Sequence, residues 1–231
     1  MSRRPTTTGR SVQRGLSLVE LMVGAAIALF IAATGTTLLA GNLRENRSLL
    51  LEARITQDLR TAADLIARDL RRAGYWAAAA DGVWTAAAPA GVANPYAAFA
   101  PGSAASDAVS FRYSRDATEN NAVDTNEQFG YRLRNGVVEM QLGAGNWQAL
   151  TDAGTLTVTT FSVTPTVQEI SLQHLCALPC PSGSATCPPR QQVRSLALVL
   201  SGRAATDASV TRSLRSSVRL RNDSVVGACA T

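Results

Sequence analysis

Few side chains in this sequence have the type and spacing to do chemistry, and they fall into three groups. Cys176, Cys180, Cys187 and Cys229 can bridge as disulfides or, as thiolates, bind zinc; their spacing, C-x3-C-x6-C-x41-C, lacks the paired knuckles of structural zinc sites. Asp116, Glu119, Asn120, Asn121, Asp124, Asn126 and Glu127 crowd oxygen ligands that suit a hard cation such as calcium, but their order does not follow the EF-hand loop, and a solvated turn is the reading. The third group is a single carboxylate, Glu20, at the start of a long apolar run. His174, the sole histidine, lies beside the cysteine segment, and neither a G-x-S-x-G elbow nor a phosphate-cradling loop appears. These residues give no expectation of catalysis, cofactor or bound metal.

Glu20 must be positioned by what surrounds it. From Leu21 to Gly41 no residue is charged, and a helix of that length, at about 1.5 Å per residue, covers roughly 31 Å, the depth of a bilayer core. Arg3, Arg4, Arg10 and Arg14 precede the run with no acid among them, which orients that end to the cytoplasm and the remainder outward. A carboxylate inside an inserting segment costs about 2.5 to 3.5 kcal/mol, so Glu20 calls for a role. A secretory signal would be shorter and would close on an A-x-A site, which is absent. A plain anchor leaves Glu20 merely tolerated at the interface.

Gly15-Leu16-Ser17-Leu18-Val19-Glu20 resembles the prepilin processing motif of type IV pilins and type II secretion pseudopilins. The resemblance implies a partner, the prepilin peptidase, that cuts between Gly15 and Leu16 and methylates the new amino terminus at Leu16. It also implies that Glu20, the fifth mature residue, is the carboxylate used in assembly. The fold it implies is α+β, the type IV pilin fold: a long N-terminal helix, half membrane-spanning and half amphipathic, packed on an antiparallel β-sheet domain. The expected divisions are a leader over 1–15, a transmembrane and filament-core helix over 16–41, an amphipathic half over 42–74 and a periplasmic globular domain over 75–231. The protein would thus sit in the bacterial inner membrane before reaching the pilus at the cell surface.

Processing changes the charge. The formal net charge is +5, but losing four leader arginines from the 22 basic side chains leaves 18 against 17 acids. Net charge then gives no argument for nucleic-acid binding, and none is expected. Thr34-Gly35-Thr36-Thr37 is the softest point of the apolar segment, since glycine lowers helix propensity and threonine hydroxyls bond back to helix carbonyls. Beyond Asn42, Ile55, Leu59, Ala62, Ala63, Ile66 and Leu70 recur at three- and four-residue spacings, an apolar stripe against a domain. Asp64 and Arg68 are spaced to pair, and Gly74 supplies a left-handed stop. Asp69-Leu70-Arg71-Arg72-Ala73-Gly74-Tyr75 resembles the minor pilin family PilW, as does the Arg-rich final strand.

Residues 77–105 hold 14 alanines interrupted by prolines and glycines, a connecting loop that Trp76, Trp84, Tyr96 and Phe99 could anchor. Val109, Phe111 and Tyr113 alternate with polar residues as a first strand. Asn135-Gly136 sits between two alternating runs, and a two-residue turn there pairs Leu133 with Val138, Tyr131 with Met140, Phe129 with Leu142 and Arg132 with Glu139. Leu156 to Val163 reads as another strand, and Val193 to Leu200, apolar on both faces, as a central one. In the last strand Arg215, Arg219 and Arg221 share a face. Residues 190–221 hold seven arginines against one acid, whereas 107–152 hold seven acids against four arginines, a polarity that suits docking between neighbours. On the exported side disulfides persist. Of three connectivities, Cys180–Cys187 closing a Pro-Ser-Gly turn and Cys176–Cys229 tying the carboxyl end are preferred.

The resemblance thus points to a minor pilin that helps initiate the type IV pilus in a priming complex and supports twitching motility. Its implied partners are the major pilin, other minor pilins, the inner-membrane assembly platform and a tip adhesin. The alternatives are a minor pseudopilin of a secretion or DNA-uptake system and, from another class, a membrane-anchored periplasmic binding domain.

Overall fold

The computed structural model describes residues 15, 17–83 and 92–230. The expected leader through Arg14, Leu16 of the expected cleavage junction, and Trp84, Pro89 and Gly91 of the Ala-rich loop lie outside them. The chain forms two compact units, Met1–Leu49 and Leu50–Thr231. Helix α1 runs unbroken over Leu18–Leu70. In the first unit it is long and apolar enough to cross a bilayer, with none of that stretch buried by protein. The Thr34, Thr36 and Thr37 hydroxyls donate to carbonyls of the preceding turn, and the helix stays continuous through Gly35 despite this competition.

In the second unit the α1 stripe is buried as its spacing requires: Ile55, Leu59, Ala62, Ala63, Ile66, Ala67 and Leu70 all enter the core. The chain leaves α1 through Gly74, whose φ of +76° favours glycine and whose N–H donates to the Arg112 carbonyl. Asp64 and Arg68 are not among the ion pairs of the described residues. The neighbouring acid, Asp69, instead accepts a 2.6 Å hydrogen bond from the Tyr131 hydroxyl, which pins the helix end to a sheet.

That sheet is an antiparallel meander: β1 (Phe99–Ala100), β2 (Ala108–Arg112), β3 (Gln128–Arg134), β4 (Val137–Leu142) and β5 (Trp147–Ala149), side by side in chain order. The β3–β4 register pairs Leu133 with Val138, Tyr131 with Met140, Phe129 with Leu142 and Arg132 with Glu139, as the turn dictates. Asn135 and Gly136 have φ of 51° and 76°, and Arg132 Nε meets Glu139 at 2.7 Å. Phe99, Phe111 and Phe129 stand in cross-strand register on the inner face, joined by Tyr113, which stacks on Phe129 at 4.0 Å.

A second antiparallel sheet holds β6 (Leu156–Ser171), β7 (Arg190–Ala204) and β8 (Thr211–Arg219), with β9 (Ser224–Val226) also on β7. Because β6 pairs with β7 from Arg190 to Ala204, β9 must take the opposite edge, in line with β8. The sheets meet where Ser106 bridges to Val163 and where the Val158 N–H donates to the Gly136 carbonyl.

Four details differ from the sequence reading. The expected loop over 77–105 contains a 3-10 turn at Ala79–Gly82 and the short strand β1. The strand expected over Leu156 to Val163 continues to Ser171. β7 is central, but only one face is covered: Leu196, Leu198 and Leu200 are buried while Ala197 is exposed. Arg221 lies beyond β8, its N–H given to the Arg71 carbonyl.

Candidate functional site

Gly15 precedes α1, and Ser17 starts it, its carbonyl accepting the Leu21 N–H at 3.1 Å. Glu20 lies in the first turn, exposed among exposed apolar neighbours such as Leu18, Leu21 and Met22. A carboxylate there is favoured by the helix dipole. An apolar surface with no protein over it must be covered by lipid or by apolar helices, and in either setting a cationic group beside Glu20 would be strongly attracted.

The four cysteines form two disulfides, Cys176–Cys229 across 53 residues and Cys180–Cys187 across 7. The first ties the segment after β9 to the short helical turn Gln173–Leu175, where His174 stands exposed. No hydrogen-bond partner orients the imidazole among the described residues, and nothing there builds a catalytic pair.

The acidic loop is more ordered than a solvated turn. Glu127 is fully buried, its Oε1 accepting from the Arg115 N–H at 2.7 Å and its Oε2 from the Asp124 N–H at 2.9 Å. One carboxylate oxygen each of Asp116, Asp124 and Glu127 lies within 4.8 Å of the others, so these three are the residues that could hold a cation. Burial, then the charges of Glu127, Asp124 and Glu119, raises the Asp116 pKa above its ordinary range. Glu119 goes the other way: burial opposes its ionisation, but hydrogen bonds from the Tyr96 hydroxyl and the Asn121 N–H favour the carboxylate, and its pKa is lowered. Asn120 and Asn126 are not among the three carboxylates, and Asn121 instead accepts from Trp76 Nε1 at 2.7 Å. Trp76 and Tyr96 are thus buried anchors, and Phe99 packs on the core. The Glu127 arrangement carried a readable signal, the Asp124-x-x-Glu127 capping box.

Arg215 and Arg219 point to the exposed face of β8, and Arg221 follows, also exposed. Arg219 is shared with Asp223 at 3.2 Å. Arg212, on the other face, pairs with Glu52 of α1, a contact that sequence spacing could not suggest.

A long amino-terminal apolar helix, an amphipathic continuation buried on antiparallel sheets, and disulfides in the head define a pilus-related protein with the α+β pilin fold. No curated protein and no solved structure matches the chain. Residues 48–220 match the family model PpdB, prepilin peptidase-dependent protein B, and the chain belongs to that family. The match covers the head rather than the junction at Gly15.

Proposed function

We propose that this chain is a minor pilin, inserted in the inner membrane, processed between Gly15 and Leu16, methylated at Leu16 and used at low copy to start a type IV pilus. The observation that carries the reading is a prepilin-type junction at the head of an uncovered apolar helix, in a chain whose head belongs to a prepilin peptidase-dependent family. The role of Glu20 would be to receive a neighbouring subunit's amino terminus, an ion pair strengthened as the surroundings become apolar. The protein would act by assembly, not catalysis. A head of this size is hard to repeat in a filament, because each copy must fit its neighbours through heterologous contacts, whereas one at the tip fits only those below and beside it. The opposite charge of the β2–β5 and β7–β8 regions would select those neighbours.

The test has two arms. Mass spectrometry of the assembled protein should find methylated Leu16 at the amino terminus. Deleting the gene should reduce surface pili and twitching, and the protein should be scarce against the major pilin in sheared filaments. Intact Met1, or normal piliation without the gene, defeats the proposal. A secretion defect with normal pili would reassign it to a pseudopilus.

A further inference from the structure

The outer face of the first sheet carries a groove of about 230 Å³, and its cause lies in the strand register. One row runs Ala100, Ser110, Gly130, Gln141, Trp147 across all five strands. The small residues Ala100 and Ser110 leave a trough, and the beside-lying pair Arg112 and Gln128 forms its polar side. Ala98, Ala100, Ser110, Arg112, Gln128 and Gln141 line it, together with the intervening strand residues Phe99, Phe111 and Phe129. The row beyond is closed: Arg132 is paired with Glu139 and lies 3.9 Å over the Trp147 ring. Gly130 closes the groove on that side rather than flooring it: Gln141 Oε1 and the Trp147 ring lie 3.1 and 3.4 Å from where its Cβ would stand.

Arg112 differs from Arg132 in having no carboxylate within ion-pair distance among the described residues. The groove therefore offers one uncompensated guanidinium, two amides on adjacent strands, a hydroxyl and two alanine methyls. A guanidinium takes a carboxylate through two parallel hydrogen bonds. A carboxamide both donates and accepts, which matches a hydroxyl pair. The volume falls below the roughly 300 to 1,000 Å³ of clefts for drug-sized ligands, room for a single ring. The groove opens on the sheet face and extends to the edge strand β1 through Phe99 and Ala100.

We infer that this groove binds one acidic sugar unit of a glycan, a uronic acid whose carboxylate meets Arg112 and whose hydroxyls meet Gln128, Gln141 and Ser110. The test uses the full chain in detergent micelles and two immobilised oligosaccharides that differ only in ending on glucuronic acid or on glucose. Wild type should bind the glucuronate-terminated probe at least about tenfold more tightly, the scale of a charge-assisted hydrogen bond. Arg112→Gln should abolish that preference and leave glucose-probe binding unchanged. Ala100→Phe, at an exposed position, should fill the groove and remove both; unchanged circular dichroism and the absence of free thiols would show that it folds. The inference is overturned by an absence of saturable binding to the glucuronate probe, by an Arg112→Gln variant that keeps the preference, or by a tetra-alanine peptide that competes as well as the sugar through its carboxylate.

Discussion

Asp116 is where a single ionisation should be visible in the stability of the head. Its pKa is raised by burial first and by three neighbouring carboxylates next. A carboxyl raised in the folded state favours folding in its protonated form. That contribution is present below the unfolded pKa, about 4, and is lost as pH rises through the folded value. Asp116→Asn, which keeps the shape without the charge, should therefore be more stable than wild type near neutrality, with the gap closing in acid. Urea titrations at several pH values read this directly, and a variant weaker than wild type at pH 7 would show that Asp116 is compensated as an anion. Tyr131 offers a second test. Burial, then its bond to Asp69, raises the phenol, so it stays a donor through any ordinary pH. Tyr131→Phe should cost about 1.5 to 3 kcal/mol, the range for a hydrogen bond to a charged group, measured by the same titration at pH 7.

The β3–β4 hairpin is set by its turn, and its weak point is Gly136. Alanine there must take a positive φ, and its Cβ would sit 2.9 Å from Thr157 Cγ2. Gly136→Ala should destabilise by about 1 to 2 kcal/mol, whereas Asn135→Asp, which keeps a residue tolerant of that conformation, should be close to neutral in the melting temperature. This hairpin was legible in the sequence because two periodic runs and one turn dipeptide fix every pair between them. The α1 stripe was legible for the same reason, since Ile55 to Leu70 repeat at helical spacing. β1 was not: two residues carry no period, and Phe99 joins the sheet only because Phe111 lies opposite. The division of the strands into two sheets also lay beyond local pattern, since Leu156 and Leu142 show the same alternation but pair with different neighbours. In the candidate sites, Asp116, Asp124 and Glu127 were recognisable as oxygen ligands. The burial of Glu127 depends on the Arg115 N–H, and the openness of Arg112 on cross-strand neighbours, neither of which a linear reading supplies.

At the scale of the whole molecule, the head is held by one core under both sheets and by two covalent ties. Closing a loop in the unfolded chain contributes about 2 to 4 kcal/mol per bridge, and more for the longer loop, Cys176–Cys229. Reduction should lower the melting temperature of the full chain in detergent, and the Cys176→Ser/Cys229→Ser pair should lower it more than Cys180→Ser/Cys187→Ser. The two sheets are built from different residues. Phe111, Tyr113, Phe129, Tyr131 and Trp147 lie in or beside the first, while the buried face of β7 is leucine and the sequence after Phe161 contains no aromatic residue. The second sheet, over residues 156–226, holds neither tryptophan nor tyrosine, so the molecule is lopsided in fluorescence: emission does not look at that sheet, which is dark. A backbone signal sees both. If the shared core makes them a single cooperative unit, the fluorescent and far-ultraviolet transitions will coincide; if they separate, the lag belongs to the dark half, and an emissive side chain placed at exposed Ala197 would illuminate it.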